Sequence, residues 1–375
     1  MEKAKISAIQ LFAMMFIFEM GTAVVISYGV HAKKDAWLAI LLGLGAGIVL
    51  SSIYYLLFRQ YPTLPLTGYA KKIFGKYLGW IIGLLYILFF LYISARNIRE
   101  FGELLISSTL RKTPLLAITI LFVLTICYVL YLGIEVLGRT AEVFLVILLL
   151  LGVTGNFLVL VSGNWHPNNL QPFLEHGWKP IIMTAFRDIL IFPFGEMLVF
   201  TMLLPYLNQP ELVKKVGLSA FISGGFVLSY TTSLNIAVLS IEEVERSTFP
   251  LLSTVGKVNL MEFLQRLDAI VVYTLLITVF FKAAIYFYGA LMGMVDLFNL
   301  KNHQQILLPI GVILIFFSIV LSATFAEQTE EGIFVHYIAI VLLIIIPLLM
   351  LLVSFIRNRF KKAKDEKGKS ESSAT

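Results

Sequence analysis

The sequence predicts an all-α polytopic membrane protein of ten transmembrane helices, built as a five-plus-five inverted repeat in which helices 1 and 6 are broken. Three observations predict this fold class. The 375 residues are 59% hydrophobic and 14% charged, with a mean hydropathy of +0.89. This amount of apolar side chain is more than the core of a soluble domain can bury. The chain divides into ten apolar runs of bilayer-spanning length. The first and sixth runs are interrupted near their midpoints by acids and glycines.

The ten runs, called segments one to ten, have the length that crosses the hydrocarbon core as a helix. They predict a first repeat over 1–162, an extracytoplasmic loop over 163–182, a second repeat over 183–356 and a basic cytoplasmic tail over 357–375. Residues 1–5 are followed by no small-residue cleavage pattern, and we expect no cleaved signal peptide. The segments cover residues 6–30, 36–58, 78–109, 115–132, 141–162, 183–207, 212–239, 268–298, 304–323 and 334–356.

The distribution of lysine and arginine predicts the orientation in the membrane. With the N-terminus inside, the loops on the cytoplasmic side hold more basic residues than the outer loops, so both termini are expected to be cytoplasmic. Much of the net charge of +6 lies in the tail from Arg357 to Lys369. We interpret this tail as a basic segment that faces membrane lipid.

The sixth segment is broken within Ile189–Leu198. Pro193 cannot donate to the helix ladder, and Glu196 is ionisable at bilayer depth. Non-helical backbone survives at that depth only where protein or a water-filled cavity solvates it. Two interpretations follow: a proline kink in which Glu196 bonds to a neighbouring helix, or a segment that lines a binding site.

The first segment carries a matching break at Glu19, Gly21 and Thr22. Breaks five segments apart in a chain of ten are the arrangement expected for an inverted repeat with a midplane binding site, which favours the second interpretation. A second match supports the repeat, because Tyr61–Gly68 and Phe249–Gly256 share an aromatic-proline pair followed by glycine at the same spacing. Short amphipathic stretches follow each match, at 71–74 and 260–264, and we expect them to lie on opposite membrane surfaces.

The two breaks suggest a seat for an anionic group. Half-helices that begin near Thr22 and after Phe194 would present free N–H groups and a positive dipole end, and Gly195 would open the backbone there. The third and eighth segments are expected to complete the pocket. Phe89 and Ile93 share a face in the third, a pairing that ordinary packing also explains.

Lys282 shares a face of the eighth segment with Tyr286. A lysine among apolar residues needs a carboxylate, backbone carbonyls or water, and Glu19 and Glu196 are the candidate partners. Lys282 either forms a structural ion pair with one of these acids or faces the ligand and pairs with its carboxylate. The two acids are also candidates for proton-linked groups.

No catalytic, metal or cofactor motif is present in the sequence, and the basic residues flank membrane segments, which argues against nucleic acid. Cys127 is interpreted as a small buried hydrophobe. Beyond the apolar part of the third segment, Arg96 is interpreted as part of a solvated helix end. Arg99 with Glu103, at a spacing of four, is interpreted as a polar network.

Four sequence features resemble one branch of the amino acid–polyamine–organocation transporter superfamily, which has a LeuT-like fold. The branch is the spore germination permeases, the B subunits of GerA-type germinant receptors. The features are Tyr61-Pro62-Thr63-Leu64, Arg99 with Glu103, Arg111-Lys112-Thr113-Pro114 and, most specifically, the loop Asn168-Asn169-Leu170-Gln171-Pro172-Phe173-Leu174-Glu175-His176-Gly177.

The resemblance implies a transporter-like nutrient sensor of the spore inner membrane, assembled with an A-type membrane subunit and a C-type lipoprotein subunit. It implies a germinant pocket between segments one, three, six and eight. Glu19 and Lys282 depart from the family pattern and suggest a germinant other than alanine. The alternatives are a proton-coupled amino-acid secondary transporter and a structural scaffold for partner subunits. The residues that the resemblance places in the pocket are Gly21, Phe89, Ile93, Phe194, Lys282 and Tyr286.

Overall fold

The computed structural model describes residues 5–258, 268–321, 332 and 334–358. This part of the chain is nearly all helical, and its one isolated β-bridge joins Ile6 to Leu207. The first half contains α1 (Ala8–Met20), α2 (Ala23–Ile26), α3 (Ala36–Gln60), α4 (Leu66–Phe74), α5 (Lys76–Ser108), α6 (Leu115–Leu132) and α7 (Ile134–Val161). The second half contains α8 (Trp178–Thr184), α9 (Val213–Leu239), α10 (Ile241–Arg246), α11 (Pro250–Gly256), α12 (Asp268–Leu297), α13 (Gln304–Val320) and α14 (Phe334–Asn358).

Among the described residues, eight helices are long and apolar enough to cross a membrane. The predicted sixth segment is not among the eight because it is interrupted. The ninth is not among them because α13 has 17 residues, one fewer than the 18 required of a candidate span. Ten crossings therefore remain a prediction. Helix α7 begins at Ile134, before the predicted 141, because an Arg139–Glu135 pair at 2.7 Å extends the helix past the apolar run. Residues 322–323 of the ninth segment, and the tail from 359, lie outside the described residues.

The first segment breaks where the sequence predicts. Helix α1 ends at Met20, Gly21 has φ +39°, and α2 continues for four residues. The Thr278 hydroxyl of α12 donates to the Gly21 carbonyl oxygen at 2.7 Å. Neighbouring protein therefore satisfies a backbone acceptor that the break frees, as bilayer depth requires.

The sixth segment is interrupted at Phe192, whose backbone is extended with φ −125° and ψ 117°. Turns of π type follow α8 up to this residue, and a 3-10 helix covers Gly195–Met202 after it. The Tyr54 hydroxyl lies 3.2 Å from the Gly195 carbonyl and 2.6 Å from the Leu343 carbonyl. The Tyr54 hydroxyl of α3 thus lies within hydrogen-bond distance of a backbone acceptor two residues after Pro193, and the predicted interruption is present.

Helix α4 is the short amphipathic helix predicted after the second segment. Its buried face, which includes Tyr69 and Ile73, packs against α5. Lys71 binds Asp296 at 3.0 Å, and Arg357 donates to the Lys72 and Ile73 carbonyls, so the ends of α12 and α14 meet α4. We call this the α4 end of the molecule. The matching stretch at 260–264 lies outside the described residues.

Gly79 permits the close approach of α4 and α5. A Cβ at this position would lie 2.4 Å from the Lys71 Cα and 2.6 Å from the Ala70 carbonyl oxygen, both of them backbone atoms. We expect Gly79→Ala to lower the free energy of unfolding by about 1–3 kcal/mol through overpacking, measured as a lower Tm of the purified protein in detergent. Gly152→Ala is the matched control, because no atom lies within 4 Å of its added Cβ. Equal Tm values for the two variants would contradict this account of the α4–α5 interface.

Candidate ligand-binding cavity

A cavity of about 1020 Å³ opens between α10, α8 and the 3-10 helix Val30–Asp35, which form the end of the molecule opposite to α4. It extends inward to both helix breaks. Thr22 lines it at the first break and Glu196 at the sixth, and Ile93 of α5 and Lys282 of α12 line it as well. The first, third, sixth and eighth predicted segments therefore all contribute to it, and the volume is sufficient for a small organic molecule.

An ion pair forms part of the cavity lining at depth. Lys282 Nζ lies 2.6 Å from Glu196 Oε2, and the Tyr286 hydroxyl donates to Glu196 Oε1 at 3.0 Å. Both charged side chains are at most 4% exposed. The Phe18 ring centroid lies 5.5 Å from the ammonium, a cation–π distance. The partner of Lys282 in the structure is therefore Glu196 of the sixth segment.

Two features of position 21 require glycine: the close approach of the Lys282 side chain and the positive φ of the backbone there. A Cβ on Gly21 would lie 2.5 Å from Lys282 Cδ and 3.1 Å from Lys282 Nζ. The φ of +39° is a conformation that L side chains rarely adopt. The stem of Lys282 thus lies directly on the first helix break.

Glu19 is separate from this pair. Its side chain is fully buried, and neither carboxyl oxygen has a hydrogen-bond partner among the described residues. A Cβ on Gly224 of α9 would lie 2.6 Å from the Glu19 carboxyl carbon, so the acid packs closely against that helix. Of the two candidate partners for Lys282, the structure therefore brings only Glu196 into contact.

Polar residues of α5 line the cavity nearer its mouth. Arg96 Nε lies 3.1 Å from Glu100 Oε1, and both residues line the cavity together with Asn97. The interpretation of Arg96 as part of a helix end was wrong, because α5 continues to Ser108, and Arg96, with its side chain 23% exposed, lines the cavity. Arg99 and Glu103 form the expected pair at 2.6 Å.

Ionic contacts surround the mouth of the cavity. Within the 3-10 helix Val30–Asp35, Lys33 pairs with Glu245 of α10, and Lys34 lies 2.9 Å from Glu175. The hydrogen bond from Lys34 holds the pKa of the Glu175 carboxyl below its usual value. Asp35 accepts the Leu174 N–H at 3.1 Å. Sequence reasoning missed these contacts, since they join residues far apart in the chain.

The structure divides the predicted site residues into two groups. Thr22, Ile93, Glu196 and Lys282 line the cavity. The others lie behind that lining, buried in the protein: Gly21, Phe89, Phe194, Gly195, Tyr286 and Glu19. Phe194, for example, does not line the cavity because its ring packs elsewhere. It stacks on Phe221 with ring centroids 5.8 Å apart and fills the space next to Gly47. Within the described ranges, no three His, Cys, Asp or Glu side chains group as metal ligands would.

Comparison with known proteins finds a family and a fold. Residues 5–326 match the model of the family described as Spore germination protein. The chain is 38% identical to Spore germination protein KB of Bacillus subtilis (strain 168), covering 99% of both chains, and 26% identical to Spore germination protein YndE of the same strain, covering 88% of this chain and 90% of the relative. The crystal structure of MhsT in complex with L-phenylalanine has a TM-score of 0.64 at 14% identity, covering 94% of this chain and 89% of that one. This likeness confirms the predicted LeuT-like fold.

Proposed function

The chain belongs to the spore germination protein family, and from this membership we propose that it is the germinant-sensing membrane subunit of a spore nutrient receptor. It binds a small nutrient in the cavity, and binding triggers germination. One observation carries the proposal: the cavity reaches both helix breaks and is lined at depth by a buried ion pair. Buried charge in a membrane protein is expensive, and its position at the inner end of a cavity favours a functional role.

The cavity residues have distinct roles in this proposal. Thr22, Ile93, Glu196 and Lys282 contact the nutrient, since they line the cavity. The remaining predicted residues, among them Gly21 and Tyr286, hold these groups in place from behind. Because the nutrient touches both broken segments, α5 and α12 at once, it stabilises the arrangement of helices that fits it best and shifts the population toward that state.

The receptor also has partners in this proposal. An A-type membrane subunit and a C-type lipoprotein subunit read the conformational change, in a multi-subunit complex of the spore inner membrane. Both termini are cytoplasmic, and the tail over 357–375 contacts anionic lipid. The relatives named Spore germination protein KB and YndE support a germination role for the chain.

Filling the cavity tests the proposal. Ile93 is 2% exposed and lines the cavity, so Ile93→Trp is expected to raise the half-maximal nutrient concentration by about tenfold or more, equivalent to roughly 1.4 kcal/mol of lost binding. The measurement is the germination rate of spores that carry the variant as their only copy, across single nutrients and mixtures. Leu88→Trp is the control on the same helix, because Leu88 is 54% exposed. An unchanged dose response of Ile93→Trp at normal protein level would refute the cavity as the nutrient site.

A second candidate is a proton-coupled amino-acid secondary transporter. The buried Glu19 carboxyl, which has no hydrogen-bond partner among the described residues, favours it, as do Glu196 and Lys282, because such groups carry protons in membrane transporters. Uptake of labelled amino acids into proteoliposomes separates the two candidates. Concentrative uptake by the isolated chain, lost in Glu19→Gln, would establish the transporter and refute the pure sensor.

A further inference from the structure

Three exposed basic residues line the outer part of the cavity. They come from three different elements and are Lys179 of α8, Arg187 of the sixth segment and Arg246 of α10. Because all three are exposed, a solute that enters the cavity can reach them. Lys179 and Arg246 form no ion pair within the described residues, and Arg187 comes only within 4.0 Å of an acid, Asp188. We call these three residues the basic mouth.

The acids that line the outer part of the cavity are already in contact with basic side chains. Asp188 Oδ2 lies 3.2 Å from His31 Nδ1, and Glu245 Oε1 lies 2.5 Å from Lys33 Nζ. Lys33 does not line the cavity, so it offsets the charge of Glu245 without itself facing an incoming solute. These carboxylates are therefore poor partners for an incoming cation, whereas the basic mouth is open to an incoming anion.

Further into the cavity, the accessible charge is also mostly positive. Arg96 pairs with Glu100, but the arginine side chain is 23% exposed and that of the glutamate only 7%. Lys282 and Glu196 are at most 4% exposed, so an entering solute reaches little of either charge. Charges of one sign in a cleft with low-dielectric walls focus the electric field and raise the local concentration of the opposite ion. The accessible charges of this cavity therefore favour anions.

We propose that the cavity takes an anionic solute, a small molecule whose carboxylate or phosphate oxygens bind to Lys179, Arg187 and Arg246 at the basic mouth. The inference rests on the proposed function and names the ligand class of its site. Each arginine presents parallel N–H donors that match two oxygens of such a group, and the lysine adds a point charge. An anion held at the mouth leaves the two deeper ion pairs intact, so no buried charge loses its partner.

Germination of spores with and without the chain tests the ligand class. A yeast extract is applied untreated and after passage at pH 7 through an anion-exchange resin, which is expected to remove the activity that depends on the chain. Single probes are then applied as pairs of similar shape: glutamate and glutamine, aspartate and asparagine, and glucose 6-phosphate and glucose. The first two pairs test a carboxylate and the third a phosphate. The anion of the active pair is expected to act at a half-maximal concentration about tenfold or more below that of its partner.

Charge removal at the basic mouth tests the site. Lys179→Gln combined with Arg246→Gln is expected to raise the half-maximal concentration of the active anion by about tenfold or more, because two charged donors are lost. Added salt is expected to raise that concentration for the unmodified chain, and less for the double variant, since salt screens exposed charges. Lys215→Gln is the control, because Lys215 is exposed at the start of α9 and does not line the cavity. Its dose response is expected to equal that of the unmodified chain.

The outcomes separate the two proposals. If the chain-dependent activity of the extract passes through the resin, or if the uncharged partner of a probe pair acts as well as the anion, the ligand class is overturned and the receptor role stands. An unchanged response of the double variant to the active anion, at normal protein level, overturns the basic mouth as its site. The single variants Lys179→Gln and Arg246→Gln carry the same test if the double variant is not produced. If removal of the chain alters no germination response, the proposed function itself fails.

Discussion

Replacing Lys282 by methionine is expected to abolish the germination response and to reduce the amount of folded protein. The substitution removes the ammonium 2.6 Å from Glu196 and leaves that carboxylate buried beside the Tyr286 hydroxyl alone. Removal of one member of a buried ion pair costs about 3–5 kcal/mol, because the other charge stays in a poorly solvating environment. Germination rate and membrane abundance in the same spores are the two measurements.

A second substitution separates stability from sensing. Lys282→Met combined with Glu196→Gln removes both charges, so we expect abundance to recover while the response stays absent. Lys215→Met is the control, because Lys215 is exposed at the start of α9 and does not line the cavity. A normal dose response from the single Lys282→Met variant at normal abundance would exclude any role for the pair in sensing.

Gly21→Ala is expected to have the second largest effect. The added Cβ would lie 2.5 Å from Lys282 Cδ, and the φ of +39° strains any residue with a side chain. Overpacking contributes about 1–3 kcal/mol, and the backbone conformation adds about 1–3 kcal/mol. Lys282 has to move away from Glu196 to relieve the contact, so the variant is expected to reproduce the loss of response of Lys282→Met.

The control for Gly21→Ala is Gly217→Ala in α9. The nearest atom to its added Cβ is Met15 Cε at 3.7 Å, an ordinary van der Waals contact. We expect Gly217→Ala to keep its Tm and its dose response. If Gly21→Ala behaves in the same way in both measurements, Lys282 does not lie on the first break as described.

The sequence predicted both helix breaks because their causes are local. Proline and glycine alter the backbone whatever surrounds them, so Pro193 and Gly21 marked the two positions correctly. The partner of Lys282 could not be chosen in the same way. Glu19 and Glu196 are equivalent in type and depth along the chain, and only the packing of α12 against the sixth segment brings one of them to 2.6 Å.

The polar cavity-lining residues of α5 were missed for a related reason. Arg96 and Asn97 follow the apolar stretch of the third segment, where a sequence pattern indicates a helix end in water. The structure encloses them because α5 continues to Ser108 beside α12. Contacts at the mouth, such as Lys34 with Glu175, depend on how the loop before α8 folds back, which no local pattern records.

At the α4 end, Ile6, just before α1, forms a β-bridge with the end of the sixth segment. Ile6 donates to the Tyr206 carbonyl at 2.9 Å and accepts from the Asn208 N–H at 3.0 Å, as two strands of a sheet would. Backbone hydrogen bonds therefore join the ends of the two interrupted segments. A displacement of one segment at this end must move the other segment or break these two bonds, while α2 and α8, at the far ends of the two segments, both contribute residues to the cavity lining.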